Sequence, residues 1–393
     1  MEKVMAFTGD EVAAEVMRQI NPDVLAAYPI TPQTETVQKF SEFVAEGRVS
    51  TDMIRVESEH SAMSACVGAA AAGARAMTAT SANGLALMWE ILYIAASYRL
   101  PIVMPVVNRA LSGPINIHCD HSDSMGARDS GWIQLYSENC QEVYDNLIQA
   151  LPIAEDRNVL LPVMVCFDGF IISHGTEGVA ILDDKVVKNF IGEFKSTYPL
   201  LDLDNPVTYG PLDLFDYYFE HKRQQVEAME KASEAVKKVG KQFGELTGRF
   251  YGLLEDYHLQ DADLVVIAAG STAGTVKATV DELREEGVRA GLLKIRTFRP
   301  FPQKEIVQKL SKAKAVAVMD RSASFGAIGG PIFLEVRSAL FAEQKKPLVI
   351  SYIYGLGGRD TGINQIKQVY NDLAKVAQSG KVSQLVNYLG VRE

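Results

Sequence analysis

The chain has 393 residues, of which 47% are hydrophobic, and a formal net charge of -10 at pH 7. This length exceeds the roughly 100–200 residues that are typical of one domain, so we expect two or three domains. The acidic balance excludes an extended nucleic-acid surface, because such a surface needs clustered Lys and Arg to neutralise phosphates.

The sequence suggests neither export nor membrane insertion. The first five residues, MEKVM, lack the apolar core of a signal peptide, and the most apolar stretch, 85–107, is interrupted by Glu90, Arg99 and Pro101. A membrane-spanning helix needs about 20 consecutive apolar residues. We therefore expect no membrane span and a cytoplasmic location.

The four cysteines are widely scattered, at Cys66, Cys119, Cys140 and Cys166. They form no C-x-x-C pair of the kind that holds zinc or an iron–sulfur cluster. Electrons released by any redox chemistry at this chain would therefore have to leave through another polypeptide. This is a first indication of a multi-subunit enzyme.

Short apolar runs alternate with helical patterns in the first half of the chain. We predict buried strands at 24–28, 54–56, 76–79, 102–107 and 160–166, and helices at 9–20, 59–72 and 85–98. This alternation predicts a parallel sheet covered on both faces. The helix at 59–72 is built from small residues, so it is either packed at a subunit interface or an ordinary buried helix.

The pattern changes between about 183 and 257, where prolines precede a charged helix at 216–241 that is typical of a solvated connector. Alternation then resumes, with strands at 264–269, 290–295, 315–319 and 348–352 and helices at 274–286, 304–311 and 330–341. We expect an α/β fold with two doubly wound parallel-sheet domains, at 1–182 and 258–393, joined by a linker at 183–257.

Two segments of the first half, 27–34 (AYPITPQT) and 56–62 (VESEHSA), carry candidate site residues. Each follows a predicted strand, so Thr31 and Glu59 would face each other at the carboxyl edge of the sheet, where α/β proteins bind ligands. Arg109 follows the strand at 102–107 and emerges at the same edge. Its guanidinium is suited to binding a carboxylate through two parallel hydrogen bonds.

Each of these residues also has an ordinary structural interpretation. Ser58 as a helix N-cap followed by Glu59 in an acidic first turn is common helix chemistry. The segment around Thr31 could be a rigid connector. Arg109 could form an ion pair at the strand end, with partners available downstream at Asp120, Asp123 and Asp129.

Two further motifs are weaker. The run 118–123 (HCDHSD) has metal-binding residue types, but no second pair completes a zinc site, so we expect a loop near the active site. The run 270–275 (GSTAGT) follows a strand and opens a helix as a phosphate loop does. It lacks the G-x-G-x-x-G spacing, which favours a tight strand-to-helix turn over a nucleotide site.

Taken together, the motifs at 27–34 and 56–62 resemble those of the α subunit of the 2-oxoacid:ferredoxin oxidoreductases, a family of thiamine-diphosphate enzymes. The resemblance continues through 108–112 (NRALS), 128–132 (RDSGW), 299–302 (RPFP) and 355–360 (GLGGRD), so it covers nearly the whole chain. It implies a thiamine-diphosphate pyrimidine-type domain followed by a transketolase C-terminal-like domain.

The resemblance also implies residue roles. Glu59 would hydrogen-bond to the pyrimidine nitrogen of thiamine diphosphate and so help to activate the cofactor, with Glu57 as the fallback. Pro29 and Ile30 would contact the cofactor. Thr31 and Arg109 would hold the 2-oxoacid substrate.

The metal-binding Gly-Asp-Gly motif of thiamine enzymes is missing, since Gly9-Asp10 runs into Glu11. The resemblance therefore implies a cofactor shared with a β subunit that supplies Mg²⁺, diphosphate contacts and a [4Fe–4S] cluster. A δ subunit would carry electrons through clusters of its own, a γ subunit would meet coenzyme A, and ferredoxin would be the electron acceptor.

The expected reaction converts a 2-oxoacid and coenzyme A reversibly to acyl-coenzyme A and CO₂ while reducing ferredoxin. Pyruvate is the favoured substrate, and a branched-chain or other 2-oxoacid is the alternative. Two other classes stay open: a non-catalytic scaffold subunit of such a complex, and a nicotinamide-nucleotide oxidoreductase that uses the loop at 270–275.

Overall fold

The structure is a computed structural model that describes residues 3–392. The first half contains β1 (Lys3–Thr8), α1 (Gly9–Ile20), β2 (Val24–Ala27), α2 (Thr34–Ala45), β3 (Asp52–Arg55), α3 (Glu59–Ala72), β4 (Ala76–Met77), α4 (Ala82–Leu87), α5 (Trp89–Ser97), β5 (Val103–Asn108), α6 (Ser122–Gly126), β6 (Ile133–Tyr136), α7 (Cys140–Ala154), β7 (Val163–Asp168) and β8 (Thr176–Ile181). Within the described range, no helix has both the length and the apolarity that crossing a bilayer requires.

The rest of the chain contains α8 (Asp184–Ile191), α9 (Tyr218–Thr247), β9 (Leu254–Tyr257), β10 (Leu264–Ala268), α10 (Thr272–Glu285), β11 (Ala290–Ile295), β12 (Thr297–Arg299), α11 (Gln303–Leu310), β13 (Ala315–Asp320), α12 (Pro331–Phe341), β14 (Leu348–Tyr354), a 3₁₀ turn (Leu356–Gly358), α13 (Ile363–Ser379) and β15 (Val386–Leu389).

Two mainly parallel sheets form the framework. The first has the strand order β12-β6-β7-β5-β4-β2-β3, and its edge strand β12 is antiparallel to β6. The second has the order β15-β14-β13-β10-β11-β9, and its edge strand β9 is antiparallel to β11. Strands β1 and β8 form a separate antiparallel pair. The predicted α/β class with doubly wound parallel sheets is confirmed.

The two halves of the chain are interleaved at β12. This strand follows β11 of the second sheet directly, yet it pairs with β6 at the edge of the first sheet through Thr297↔Leu135 and Arg299↔Gln134. Hereafter the first region means the first sheet with the helices packed on it, and the second region means the second sheet with its helices.

The helix α9 corrects the prediction of a solvated connector at 216–241. One face of α9 is buried, and it packs against α7 and α5. The buried residues are Ala228, Ala232, Ala235, Val236, Val239 and Phe243. They recur at helical spacing, but most of them are alanine or valine, so the surrounding Lys and Glu residues dominate the composition of the segment.

Helix α7 was not predicted, because it lacks an amphipathic pattern. Nearly all of its residues are buried, including polar Asp145, Asn146 and Gln149. Arg249 Nε donates to Asp145 Oδ2 at 2.6 Å, and Arg296 Nε donates to Asn146 Oδ1 at 2.8 Å. Burial of these polar groups is tolerated because they are hydrogen-bonded to arginines that lie far away in the sequence.

Helix α3 begins and ends where it was predicted. It packs one face against β2 and α5, with Ala62, Met63, Cys66 and Ala70 buried. The predicted helix at 85–98 is divided into α4 and α5, with Met88 between them. The proposed subunit interface on α3 stays a prediction.

Candidate active site

Four neighbouring parallel strands end at one edge of the first sheet. The order β5-β4-β2-β3 means that the segments after these strands lie side by side at this carboxyl edge. They carry Arg109 after β5, Thr80 after β4, Thr31 after β2 and Glu59 after β3. The structure therefore brings the three predicted chemical residues to one edge, as expected for a parallel sheet.

Glu59 is a buried carboxyl group at the start of α3. Ser58 caps the helix by accepting a hydrogen bond from the Ser61 amide at 3.3 Å, and Glu59 is the first residue of the helix. Glu59 is only 6% exposed. Across residues 3–392 its carboxyl group has no hydrogen-bond or ion-pair partner, although buried carboxyl groups are usually paired.

Glu57 lies in a different environment. It is exposed and accepts a hydrogen bond from the Ser61 hydroxyl, which lowers the pKa of Glu57. An exposed carboxylate that already has a partner is poorly placed to contact a buried ring. The geometry therefore supports Glu59 over Glu57 as the residue for cofactor activation.

The backbone of Gly84 comes close to the Glu59 carboxyl group, and the next segment also carries two hydroxyl groups that are unpaired among the described residues. A Cβ added at Gly84 would lie 2.5 Å from Thr80 Oγ1 and 2.7 Å from Glu59 Oε1, so only glycine leaves this space open. The buried hydroxyl groups of Thr80 and Ser81 lack hydrogen-bond partners in the described part of the chain. A carboxyl group and hydroxyl groups with unused hydrogen-bonding capacity fit the polar edge of the predicted aminopyrimidine ring.

Sequence reasoning missed Thr80 and Gly84. The signal that could have found them is the run 80–84 (TSANG), which follows the predicted strand at 76–79 with polar residues and glycine. Such runs at a strand end are common where α/β sheets bind ligands.

Arg109 is 7% exposed and is held by backbone carbonyl groups. Its Nε donates to Asn116 O and its Nη1 to Thr31 O, each at 2.9 Å. Within the described residues the guanidinium has no carboxylate partner, so the ion-pair interpretation is wrong. Asp123 accepts from the Arg109 backbone amide, at 3.0 Å, and Asp129 lies beside Arg128 and Arg299.

Thr31 meets Arg109 through its backbone. Its carbonyl accepts the Nη1 bond, while Thr31 itself is exposed. The preceding residues differ in exposure, since Pro29 is exposed and Ile30 is half-buried. The Ile30 amide donates to Gln33 Oε1 at 3.2 Å, which fixes the turn that presents Thr31.

Asp123 organises the segments around Arg109. Its carboxylate accepts hydrogen bonds from the backbone amides of Arg109 and Ala82, each at 3.0 Å, and from Asn108 Nδ2 at 2.8 Å. Burial raises the pKa of Asp123 to about 6, although these hydrogen bonds oppose the shift. Asp123 thus joins the end of β5 to the start of α4.

The run at 118–123 lies between this site and the second region. Cys119, His121 and Asp168 are buried close together, with candidate ligand atoms within 4.8 Å of one another. Asp168 already binds other side chains, however, with Oδ1 2.7 Å from His121 Nε2 and Oδ2 2.9 Å from Arg321 Nη1. Burial favours the neutral form, but His121 and Arg321 hold the pKa of Asp168 well below its usual range.

The loop at 270–275 binds the carboxylate of Asp168. The Ser271 amide donates to Asp168 Oδ2 at 3.1 Å, and the Ser271 hydroxyl donates to the same oxygen. Gly270 has φ +70°, a conformation that glycine adopts without strain. The loop is a tight strand-to-helix turn that binds a protein carboxylate, as sequence reasoning favoured.

A buried carboxyl group that has no partner among the described residues, at the same carboxyl edge of a doubly wound sheet as a buried arginine, is typical of an α/β enzyme site. Residues 15–241 match the family model of pyruvate flavodoxin/ferredoxin oxidoreductase, thiamine diphosphate-binding. Residues 262–366 match pyruvate:ferredoxin oxidoreductase core domain II. The chain belongs to the pyruvate flavodoxin/ferredoxin oxidoreductase family.

Curated relatives match the chain over its length. It is 59% identical to pyruvate synthase subunit PorA of Thermotoga maritima over 100% of both chains. It is 44% identical to ketoisovalerate oxidoreductase subunit VorA of Pyrococcus horikoshii, over 97% of this chain and 96% of that one.

A solved structure has the same fold. It is the 2-oxoglutarate:ferredoxin oxidoreductase from Magnetococcus marinus with 2-oxoglutarate, coenzyme A and succinyl-CoA bound, and it superposes with a TM-score of 0.73 at 21% identity. The match covers 95% of this chain, which spans 65% of the length of that structure's chain.

Proposed function

We propose that this chain is the α subunit of a pyruvate synthase. The reaction converts pyruvate, coenzyme A and two oxidised ferredoxins to acetyl-coenzyme A, CO₂, two reduced ferredoxins and a proton, and it is reversible. The observation that carries the proposal is the buried Glu59 carboxyl group, which has no partner among the described residues and lies at the same sheet edge as Arg109. Full-length identity of 59% to a pyruvate synthase subunit supports the choice of reaction.

Glu59 is proposed to hold a proton at the pyrimidine nitrogen of thiamine diphosphate. When bound, this cofactor supplies a thiazolium carbon that attacks the substrate ketone and stabilises the negative charge left by decarboxylation. The open space at Gly84 would let the ring reach the Glu59 carboxyl group, and the Thr80 hydroxyl could complete its hydrogen bonds. Pro29 and Ile30 are proposed to flank the cofactor.

Arg109 is proposed to bind the substrate carboxylate. Nε donates to Asn116 O and Nη1 donates to Thr31 O, while Nη2 has no hydrogen-bond partner among the described residues, so donors remain for a ligand. These donors lie at the end of the guanidinium fork and suit two parallel hydrogen bonds to a carboxylate. Thr31 is exposed at the same site, so its hydroxyl could donate to a substrate oxygen.

The partners belong to the proposal as well. A β subunit would supply Mg²⁺, diphosphate contacts and a [4Fe–4S] cluster, and γ and δ subunits would complete the complex and pass electrons to ferredoxin. The absence of C-x-x-C pairs and of a Gly-Asp-Gly motif in this chain supports that division. A cytoplasmic location fits these partners.

A branched-chain 2-oxoacid is the second candidate substrate. The observation that favours it is the 44% identity to a ketoisovalerate oxidoreductase subunit over nearly the whole chain. Pyruvate and 2-oxoisovalerate differ by two methyl groups, and each added carbon in an apolar pocket changes the activation free energy by only about 1–3 kcal/mol.

The test is anaerobic viologen reduction by the complex that this chain forms with its partners. Pyruvate, 2-oxoisovalerate, 2-oxoglutarate and oxalate would each be supplied with and without coenzyme A. Coenzyme A-dependent reduction with pyruvate preferred supports the proposal, and a preference for 2-oxoisovalerate selects the second candidate. No reduction with any acid by a complex that contains thiamine and clusters would overturn both.

A further inference from the structure

We propose that the second region positions Arg109 for substrate binding, and that Asn116 is the positioning residue that connects the two. This inference rests on the proposed role of Arg109 in holding the substrate carboxylate. The segment concerned is the Arg109 loop, residues 109–121, which joins the end of β5 to the start of α6.

Asn116 contacts both Arg109 and the second region. Its backbone carbonyl accepts from Arg109 Nε at 2.9 Å, while its side-chain Nδ2 donates to Gly357 O at 3.1 Å. The remaining side-chain atom, Oδ1, accepts from the His118 amide at 2.6 Å. The carbonyl that orients the guanidinium therefore belongs to a residue whose side chain is tied to the 3₁₀ turn after β14.

The contact at this turn is reciprocal. The Gly357 amide donates to Asp120 Oδ2 at 3.2 Å, so the same glycine binds the loop through both of its backbone polar groups. Gly357 has φ +61°, and a Cβ there would lie 2.5 Å from Asn116 Nδ2. A side chain at 357 would displace the Asn116 amide from this contact, and the positive φ is strained for any residue but glycine.

A second anchor holds the far end of the loop. The His121 amide donates to Arg321 O at 2.8 Å, and His121 Nε2 lies 2.7 Å from Asp168 Oδ1. Arg321 directly follows β13 and also binds Asp168. These three side chains are almost fully buried, so this end of the loop is fixed to the second sheet.

The first part of the loop is held at the first sheet, since Ser112 donates to Asn83 and the Leu111 amide donates to Ser122. Among the described residues, the stretch 113–117 makes its hydrogen bonds through Asn116. Leu111, Ile115 and Ile117 are exposed, and Ile115 is 77% exposed, so apolar packing does not hold this stretch. The guanidinium is oriented by two carbonyl groups, those of Thr31 and Asn116, and the Asn116 carbonyl is tied to the second region by the contact with Gly357. A group held in its binding geometry before the ligand arrives binds it more tightly, because less freedom is lost on binding.

The test is Asn116→Ala in the assembled complex, with kcat and KM measured for the 2-oxoacid and for coenzyme A. We expect the KM for the 2-oxoacid to rise about tenfold, the fold-change that corresponds to loss of one or two hydrogen bonds. We expect kcat to change less than twofold and the KM for coenzyme A to stay the same. Gly357→Ala perturbs the same contact from the opposite side, so it carries the test if Asn116→Ala fails to assemble.

A double-mutant comparison separates positioning from general loosening. If Asn116 acts through Arg109, Asn116→Ala should have almost no further effect on the KM in an Arg109→Met background. Where turnover of Arg109→Met is too low for kinetics, the shift of the thermal midpoint on adding 2-oxoacid gives the same comparison. Equal effects of Asn116→Ala with and without the Arg109 side chain would overturn the inference.

A matched control breaks another contact of the second region, away from the loop. Lys237 of α9 lies 2.7 Å from Glu305 of α11 at the surface, and Lys237→Ala should leave both KM values unchanged. If Asn116→Ala and Gly357→Ala both form active complexes with the KM of the native chain, the positioning role is refuted. The proposed function would still stand in that case. Failure of the native complex to oxidise any 2-oxoacid refutes the proposed function instead.

Discussion

The carboxyl edges of the two sheets occupy the same topological position, but the polar side chains at the two edges differ in their hydrogen-bond partners. At the first edge, among the described residues, the buried Thr80 hydroxyl and the Glu59 carboxyl group have no hydrogen-bond partner, and the Arg109 guanidinium contacts two carbonyl oxygens and no carboxylate. At the second edge, Ser271 and Arg321 both bind Asp168 of the first region. Polar groups at the first edge are therefore available to a ligand, while polar groups at the second edge bind Asp168 and so join the two regions.

The difference has an energetic meaning. A buried polar group without a hydrogen bond costs about 1–3 kcal/mol, so unpaired groups at the first edge lower stability unless a ligand binds them. The second edge carries no such cost at Asp168, which accepts from His121, Ser271 and Arg321. We therefore expect substitutions at the first edge to change activity and substitutions at the second edge, or at the region junction, to change stability.

The largest expected effect is on turnover at the first edge. Glu59→Gln keeps the shape of the side chain but removes its acid–base function, so we expect turnover by the complex to fall about 10²–10⁴-fold. The measurement is viologen reduction, with thermal unfolding as the check on folding. Glu57→Gln is the matched control, because Glu57 is exposed and bonded to Ser61, and it should stay within twofold of the native chain. Native turnover by Glu59→Gln would favour the scaffold interpretation.

The next effect is on stability at the junction of the regions. Lys294 is 1% exposed and contacts Glu138, Glu142 and Glu255; burial opposes its charge, but these carboxylates raise its pKa. Lys277 also contacts Glu138 and Glu255, so Lys294→Met would leave Glu142 as the buried carboxylate without a cation among the described residues. Removing one partner of a buried ion pair should lower the free energy of unfolding by about 3–5 kcal/mol.

Chemical unfolding measures this loss, with a surface pair as the control. Lys309 lies 2.7 Å from Asp256 in a partly exposed pair, so Lys309→Met should cost less than about 1 kcal/mol. Equal losses in the two variants would mean that the buried cluster contributes no more than a surface ion pair.

A smaller effect is expected on substrate binding at the first edge. Arg109→Lys keeps the charge but loses the planar fork, so it cannot contact Asn116 O and Thr31 O and also bind a carboxylate through two bonds. A hydrogen bond to a charged group contributes about 1.5–3 kcal/mol, so kcat/KM for the 2-oxoacid should fall about 10- to 150-fold. Arg48→Lys at the exposed surface is the control, and an unchanged kcat/KM for Arg109→Lys would exclude the substrate role.

The smallest expected effect is a pH dependence of stability at the second edge. Asp320 at the end of β13 is buried, and burial raises its pKa to about 7, although it accepts from the Ile332 and Phe333 amides at 2.7 and 3.1 Å. Because the folded pKa lies above the unfolded value of about 3.9, this group stabilises the fold most at low pH. Its contribution is lost as the pH rises from about 4 to 7.

The side chain in Asp320→Asn cannot ionise. Between pH 5 and 7 we therefore expect the free energy of unfolding to fall less steeply in the variant than in the native chain, with a difference in slope of about 1 kcal/mol per pH unit. The measurement is chemical unfolding of both chains at each pH. Other titrations, such as that of Asp123, are common to the two chains and cancel in the difference. Parallel pH profiles would show that Asp320 does not titrate in this range.

Local sequence patterns predicted the elements whose signals are local. Helix α1 has a capping box between Thr8 and Glu11 and an apolar stripe, and it begins and ends where it was predicted. Helix α3 is bounded by Ser58 and Gly73, a favourable N-cap and a favourable C-terminal glycine. Strand β11 is apolar apart from Gly291 and Lys294, and it was also placed correctly.

Long-range contacts explain what was missed. Helix α7 buries Asp145 and Asn146 against Arg249 and Arg296, about 100 and 150 positions away, so no local pattern marks it as a buried helix. Helix α2 follows the turn at Thr31 and was not predicted.

The sequence by itself determined the α/β class, the alternation of elements and the edge at which Thr31, Glu59 and Arg109 meet, because parallel strands place their carboxyl ends together. Only the tertiary structure decided that Glu59 is buried while Glu57 is exposed. It also decided that Arg109 is bound by carbonyl groups, with no carboxylate partner among residues 3–392. It alone joined Asp168 to Arg321, residues 153 positions apart. Burial and hydrogen bonding between distant segments depend on three-dimensional packing, which the spacing of residues along one chain does not encode.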